Sequence, residues 1–178
     1  MLNELILMPI PKYRSLLFWV GLFLMLAKSV QAETLPFVKV REPADLRVVA
    51  QEAQQRQIPI LIMFSREGCP YCEVVREEFL KPMLRSGDYA DRVLILEIHS
   101  DRYASLRDFN GDMISAESLA HRYRASFAPT VVFLDHHGKE MAKRLIGITT
   151  RDYYGGYLDE AINQSLQRVR RLALLDTD

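Results

Sequence analysis

The amino-acid sequence predicts an α/β fold in which a central mixed β-sheet is flanked by helices. The continuous apolar run 58–64 and the mostly apolar segment 93–98 are typical of strands buried on both faces of a sheet. Amphipathic segments of helical period lie between the runs, and a β-hairpin pattern over 131–146 precedes a long final helix. The 178 residues, 49% hydrophobic and 26% charged, can bury one ordinary core, so we expect one domain.

The first 32 residues differ from the rest and predict an export signal. Lys12 and Arg14 precede an apolar run, 16–27, and small residues end the segment at Ala32. The run is too short to span a bilayer comfortably, and we expect cleavage after Ala32. An uncleaved anchor at the outer face of the inner membrane is the alternative. Both interpretations place the remainder of the chain in the periplasm.

The charge composition argues against nucleic acid as a partner. Lysine plus arginine number 23, and aspartate plus glutamate also number 23. The chain therefore has no large field of one sign with which to hold a phosphate backbone.

The exported part is expected to consist of a linker, 33–38, and a domain over 39–178. A short strand near Val40 is predicted to open the domain. Apolar residues then recur at helical spacing from Pro43 to Arg56, which predicts an amphipathic helix.

The next segment joins a buried strand to a helix through two cysteines. Strand 58–64 leads into the sequence Cys69-Pro70-Tyr71-Cys72, and residues 73–80 alternate charged and apolar side chains at helical spacing. Pro82 should kink or end this helix, because proline lacks the N–H that a helix interior needs. The second buried strand is predicted at 93–98.

The second half of the chain predicts a helix, a hairpin and a last helix. The polar stretch 99–115 is expected to be a long loop, and Ser115 is expected to cap a helix that ends near Tyr123. A hairpin with a glycine-bearing turn follows over 131–146. A capping-box pattern from Thr149 then opens the final helix, whose apolar stripe is Leu158, Ile162, Leu166, Val169 and Leu172. The predicted element order is βαβα followed by αββα.

Cys69 and Cys72 carry the strongest chemical signal. They are the only two cysteines of the chain, and a disulfide closing so short a loop constrains little of the unfolded chain, which favours chemistry over a structural role. At the start of a helix, unpaired backbone N–H groups and the helix dipole stabilise a thiolate. Cys69 is therefore the predicted nucleophile. Cys72, one turn later and more deeply buried, is the predicted resolving thiol.

Half of a zinc site is the alternative interpretation of a Cys-x-x-Cys sequence. The sequence offers His99, His121, His136 and His137 but no second pair spaced like a zinc knuckle. We therefore expect no metal and interpret the histidines as solvated surface groups. Tyr71, between the cysteines, either presents an exposed ring to substrate or serves only as a spacer.

These residues resemble the thioredoxin superfamily. A buried strand, Cys69-Pro70-Tyr71-Cys72, a helix and, much later, Ala128-Pro129-Thr130 ahead of a hairpin and a last helix follow the order of a thioredoxin-like fold. The resemblance covers Lys39 to Leu172. The leader and an insertion with Asn110-Gly111-Asp112 are similar to exported bacterial thioredoxin-like proteins, including those of the SoxW type and the C-terminal domain of the transmembrane disulfide reductase.

The resemblance implies roles for further residues. Pro129 should be the cis-proline that faces the redox pair. The exposed backbone of Ala128 should let an extended substrate segment pair there as an added strand. Gly147 lies where relatives often have a glycine near the active surface, or is a plain turn residue. The implied activity is thiol–disulfide exchange with protein substrates, without a bound cofactor.

Two departures from the family pattern matter. Thioredoxins bury an aspartate on the strand before the cysteines, where this sequence has Met63. Glu97, on the next strand, could supply a buried proton acceptor instead or could be surface charge, and we favour surface charge. Pro70-Tyr71 is the dipeptide of glutaredoxins, but the residues with which glutaredoxins hold glutathione are not evident.

The sequence as a whole predicts a reductase of protein disulfides that a membrane electron donor keeps reduced. Arg66 favours a Cys69 thiolate and Glu67 opposes it. We expect a reduction potential of roughly −200 to −270 mV rather than the roughly −120 mV of a dedicated oxidant. A metallochaperone of the same fold and a non-catalytic binding module are the alternatives. The first usually needs a longer cysteine spacing, and intact Cys69, Cys72 and Pro129 count against the second.

Overall fold

The computed structural model describes residues 37–175. The predicted leader, 1–32, and most of the predicted linker, 33–38, lie outside the described residues. Along 37–175, no helix combines the length and the apolar character needed to cross a membrane.

The described chain forms a four-stranded mixed sheet with helices on both faces, so the predicted fold class is confirmed. In chain order the elements are α1 (Leu46–Arg56), β1 (Ile60–Ser65), α2 (Pro70–Val75), a π-helical turn (Arg76–Leu80), α3 (Lys81–Ser86), β2 (Leu94–His99), β3 (Ser105–Arg107), β4 (Met113–Ser115), α4 (Ala116–Arg122), β5 (Thr130–Leu134), β6 (Leu145–Ile146) and α5 (Arg151–Leu175). The strand order is β2-β1-β5-β6, and β3 and β4 form a separate hairpin. β1 runs parallel to β2 and antiparallel to β5.

Strand β1 is buried along its whole length and divides the core in two. Because side chains alternate across a strand, Ile60, Ile62 and Phe64 pack on the face covered by α1 and α4. Leu61 and Met63 pack on the opposite face, which is covered by α2, α3 and α5. Burial on both faces explains why the strand is a continuous apolar run in the sequence.

The predicted opening strand is reduced to one bridge, in which Arg41 pairs with Leu96 of β2 in parallel. Val40, beside it, is 1% exposed and belongs to the core, so its apolar character serves packing.

Of the two predicted effects of Pro82, to kink or to end the helix after the cysteines, the second is wrong, because helical structure continues to Ser86. The N–H of Lys81 donates to the carbonyl of Arg76, five residues back, so the chain makes a π-helical turn just before the proline. Pro82 then lies in the first turn of α3, where its missing N–H is not required. The wide turn also brings Val75 and Leu80, five residues apart, to the same buried side.

The predicted long loop, 99–115, contains the β3–β4 hairpin. Asp108 is fully buried and accepts hydrogen bonds from the backbone N–H groups of Asn110 and Asp112 and from Arg122. A polar stretch can therefore fold as a compact hairpin because its charges are paired locally. Ser115 caps α4, as predicted.

Candidate active site

The residues predicted for the site come from segments that meet at one end of the main sheet. Ser65, the last residue of β1, pairs with His99, the last residue of β2. Thr130, the first residue of β5, pairs with Phe64. The segment that follows β1 and the segment that precedes β5 therefore leave the sheet at the same edge.

Cys69 and Cys72 form a disulfide at the start of α2, with their Cα atoms 5.3 Å apart. Cys69 is the N-cap of the helix, and its sulfur accepts a hydrogen bond of 3.1 Å from the N–H of Cys72. Cys69 is partly exposed, whereas Cys72 has no exposed surface. An incoming thiolate or disulfide can reach only the first sulfur, while the second lies one helical turn behind it.

The Ala128–Pro129 peptide bond is cis. Pro129 is buried and Ala128 is half-buried. The loop is held on both sides, because the Thr130 hydroxyl donates to the carbonyl of Phe127 at 2.6 Å and the N–H of Gly147 donates to the carbonyl of Pro129 at 2.8 Å. Gly147 has a φ of 65°, a left-handed conformation that glycine adopts readily.

Exposed apolar side chains lie at this end of the sheet. Tyr71 is 64% exposed, Phe127 is 72% exposed and Ile146 is 51% exposed. Arg66 joins two of the segments, since its guanidinium donates to the carbonyl of Ser126 at 3.3 Å. Apolar side chains grouped on a surface are typical of contact with another protein.

On its other side, Cys69 lines a groove whose remaining wall is largely charged. The charged and titratable side chains of this groove are Arg66, Glu67, Glu73, Arg76, His99 and Arg102. Arg102 pairs with Glu67 at 2.9 Å, so part of the negative charge next to the cysteine is compensated. The sequence prediction counted only Arg66, Glu67 and the helix terminus, and the groove adds further cations to that set.

Glu97 is 3% exposed, so the interpretation as surface charge is wrong. Two guanidinium nitrogens of Arg76 donate to its two carboxylate oxygens, at 2.8 and 2.6 Å. Burial alone would raise the pKa of Glu97, but hydrogen bonds from Arg76 and Ser65 and the charge of Arg76 hold this pKa below its ordinary 4.5. A carboxylate held ionised in this way is poorly suited to accept a proton.

Sequence reasoning missed Ser65, Arg76 and His99. The His99 side chain is 9% exposed, so it is not a solvated surface group. The available signal was spacing: Glu97 and His99 are two residues apart on a strand and therefore share a face. Among the described residues, no group of three or more histidine, cysteine, aspartate or glutamate side chains is arranged to hold a metal ion.

A cysteine pair at a helix start, at the same sheet edge as a cis-proline, defines a protein of the thioredoxin fold class. A family model described as a thioredoxin-like domain matches residues 46–162, and the chain belongs to that family. The family and the cysteine pair together indicate a thiol–disulfide oxidoreductase in general.

Solved structures agree on the fold. A thioredoxin from Malassezia sympodialis has 18% sequence identity and a TM-score of 0.50, over 74% of this chain and 96% of that chain. A protein described as DsbH oxidoreductase has 15% identity and a TM-score of 0.53, over 74% of this chain and 94% of that chain. A mutant poplar thioredoxin h has 15% identity and a TM-score of 0.50, over 74% of this chain and 90% of that chain. Among curated proteins, none matches the chain.

Proposed function

We propose that this protein is an exported oxidoreductase that reduces disulfides in other proteins through Cys69 and Cys72. The observation that carries the proposal is the contrast between the partly exposed sulfur of Cys69, at the helix start, and the fully buried Cys72. Such a pair separates the two tasks of the reaction, attack and resolution. The exposed rings of Tyr71 and Phe127 provide a contact surface for a protein substrate.

The reaction transfers two electrons from the dithiol to the substrate. The Cys69 thiolate attacks one sulfur of the substrate disulfide, forming a mixed disulfide and releasing the first substrate thiolate, which takes up a proton. Cys72 then loses its proton and attacks the Cys69 sulfur. The Cys69–Cys72 disulfide forms, and the second substrate thiolate leaves and is protonated.

Two isosteric variants distinguish the nucleophilic cysteine from the resolving cysteine. Cys69→Ser and Cys72→Ser both remove the disulfide, so any loss of stability is matched, but only Cys72→Ser keeps the nucleophile. We expect both to lose dithiothreitol-driven reduction of insulin, and only Cys72→Ser to accumulate thiol-sensitive adducts on non-reducing gels. Adducts formed equally by Cys69→Ser would contradict the nucleophile assignment. Wild-type protein without insulin reductase activity would contradict the proposal itself.

The direction of electron flow is also part of the proposal. Arg66 favours a Cys69 thiolate, but the other two arginines of the groove, Arg76 and Arg102, are each paired with a glutamate. The balanced charges favour a reduction potential in the range of roughly −200 to −270 mV. Equilibration with glutathione buffers, followed by alkylation of free thiols, measures this value. A potential near that of a dedicated oxidant, roughly −120 mV, would reverse the direction.

A reductase outside the cytoplasm needs a supply of electrons, and we propose a membrane protein as the donor. Export rests on the leader pattern of residues 1–32. Expression of the full chain with a C-terminal tag, followed by fractionation and N-terminal sequencing, tests this step. A periplasmic product beginning at Glu33 supports cleavage after Ala32. A membrane-bound full-length product supports the anchor, and a cytoplasmic product contradicts export.

A further inference from the structure

His99 lies where the buried Glu97–Arg76 ion pair meets the groove beside Cys69. Its ring lines that groove together with the Cys69 side chain. Nδ1 lies 3.2 Å from the hydroxyl oxygen of Ser65, and Nε2 lies 3.5 Å from a carboxylate oxygen of Glu97. Both ring nitrogens therefore have a polar partner, and the orientation of the imidazole is fixed.

This setting accommodates the protonated ring. An imidazolium donates from both nitrogens, whereas a neutral imidazole donates from only one. The Ser65 hydroxyl can accept such a hydrogen bond, and the Glu97 carboxylate, 3.5 Å from Nε2, attracts the positive charge of the ring. Glu97 is available as an anion at neutral pH because Arg76 holds it ionised.

The surrounding charges stay constant near neutral pH. Among the described residues, the other charged groups that face His99 are glutamates and arginines, which do not change protonation in that range. These groups are Glu42, Arg66, Glu67, Glu73, Arg76, Glu97 and Arg102. Besides the thiol of Cys69, imidazole is the only type of side chain that the structure describes along this groove whose ordinary change of charge falls there.

We propose that His99 controls the ionisation of Cys69 in the reduced protein, an inference that rests on the proposed thiol–disulfide function. Protonated His99 attracts the Cys69 thiolate across the groove and keeps the cysteine reactive at a lower pH than the helix start alone would. His99 forms no bond to sulfur and takes no electron. It is a positioning residue that acts through its charge.

Alkylation of the reduced protein by iodoacetamide, measured against pH, tests the proposal. An opposite charge nearby changes the pKa of a thiol by about half a unit or more, so His99→Gln should react about threefold more slowly than wild type at about pH 5.5. The two should converge at about pH 9, where both thiols are ionised. His137→Gln is the control, because residue 137 follows β5, whose last residue pairs with the first residue of β1 at the opposite end of the sheet.

An NMR titration of the unmutated protein tests the proposal even if His99→Gln does not fold. Coupling between two sites is reciprocal, so a Cys69 thiolate must favour protonated His99 as much as His99 favours the thiolate. The NMR titration midpoint of the His99 ring should therefore be higher in the reduced protein than in the oxidised protein. The His137 midpoint should be the same in both.

The outcomes separate this inference from the proposed function. Equal alkylation profiles for His99→Gln and wild type, or equal His99 midpoints in the two redox states, would overturn the role of His99. If Cys69→Ser still lacked insulin reductase activity in that case, the proposed function would stand. Absence of insulin reductase activity in the wild-type protein would instead contradict the proposed function, on which the inference rests.

Discussion

Replacing Arg76 by leucine should leave a buried carboxylate without its counterion. Glu97 is 3% exposed and receives two hydrogen bonds from Arg76, at 2.8 and 2.6 Å. Removing one partner of a buried ion pair costs about 3 to 5 kcal/mol. Because the Arg76 side chain is itself 19% exposed, water offsets part of that cost, and we expect about 3 kcal/mol at neutral pH.

The cost should depend on pH in a defined direction. In the wild-type protein the pKa of Glu97 lies below 4.5, so its stabilising contribution is present above that pH and is lost as the pH falls through the folded-state pKa. In Arg76→Leu, burial without the guanidinium counterion raises the pKa of Glu97, and stability is then lost as the pH rises. The difference between the two proteins should therefore be smallest in acid and grow toward neutral pH.

Urea unfolding of both oxidised proteins at about pH 4 and about pH 7 measures this difference. A cost of about 3 kcal/mol corresponds to a fall in Tm of about 10 °C for a domain of this size. Arg151→Leu is the matched control, because the Arg151–Glu78 pair is exposed and should contribute less than about 1 kcal/mol. Equal costs at both pH values, or a cost no larger than that of the control, would refute the reasoning.

Two further outcomes follow from the structure. Gly138→Ala should destabilise the domain by about 2 to 3 kcal/mol in urea unfolding, because a Cβ there would lie 2.6 Å from Phe109 and 2.7 Å from Tyr123. Gly87→Ala, with a similar φ but open space around it, should cost only about 1 kcal/mol, and equal costs would contradict the steric explanation. Phe127→Ala should raise the KM for insulin about fivefold, with an unchanged rate toward a small disulfide such as hydroxyethyl disulfide. An equal loss toward both substrates would argue against a docking role for the ring.

The elements that the sequence predicted correctly are those in which local pattern and tertiary packing agree. β1, β2 and β5 are mostly apolar because helices cover both faces of the sheet. Ser115 has its capping role because the N–H groups of the first helical turn need an acceptor wherever the helix lies in the fold.

The errors arose where a distant partner decides the outcome. Glu97 was expected at the surface because its partner, Arg76, is 21 residues away, and a lone acid in a strand carries no sign of its partner. His99 was expected in solvent for the same reason. Pro82 was expected to kink or end the helix, and the sequence gives no sign of the wide preceding turn that lets the helix continue through the proline.

For the site, the sequence located the cysteines but not their surroundings. Cys69, Cys72 and Pro129 stand in a recognisable pattern of residue type and spacing. The groove wall is contributed by segments after β1, within α2 and after β2, and these become neighbours only through the parallel register of Ser65 with His99. Register between strands depends on packing across the whole sheet, which a single sequence states only indirectly.

The π-helical turn at Arg76–Leu80 lies between the two α-helical parts of the cysteine-bearing helix, α2 and α3. Cys72 and Val75 lie on the side of the turn nearer the redox pair, while Leu80 and Met83 lie on its other side and pack in the core beneath α5. Deleting one residue from the turn would leave Val75 and Leu80 four residues apart, a separation that an ordinary α-helix also places on one face. A one-residue deletion within this turn would therefore leave both the reactive end and the core packed as they are.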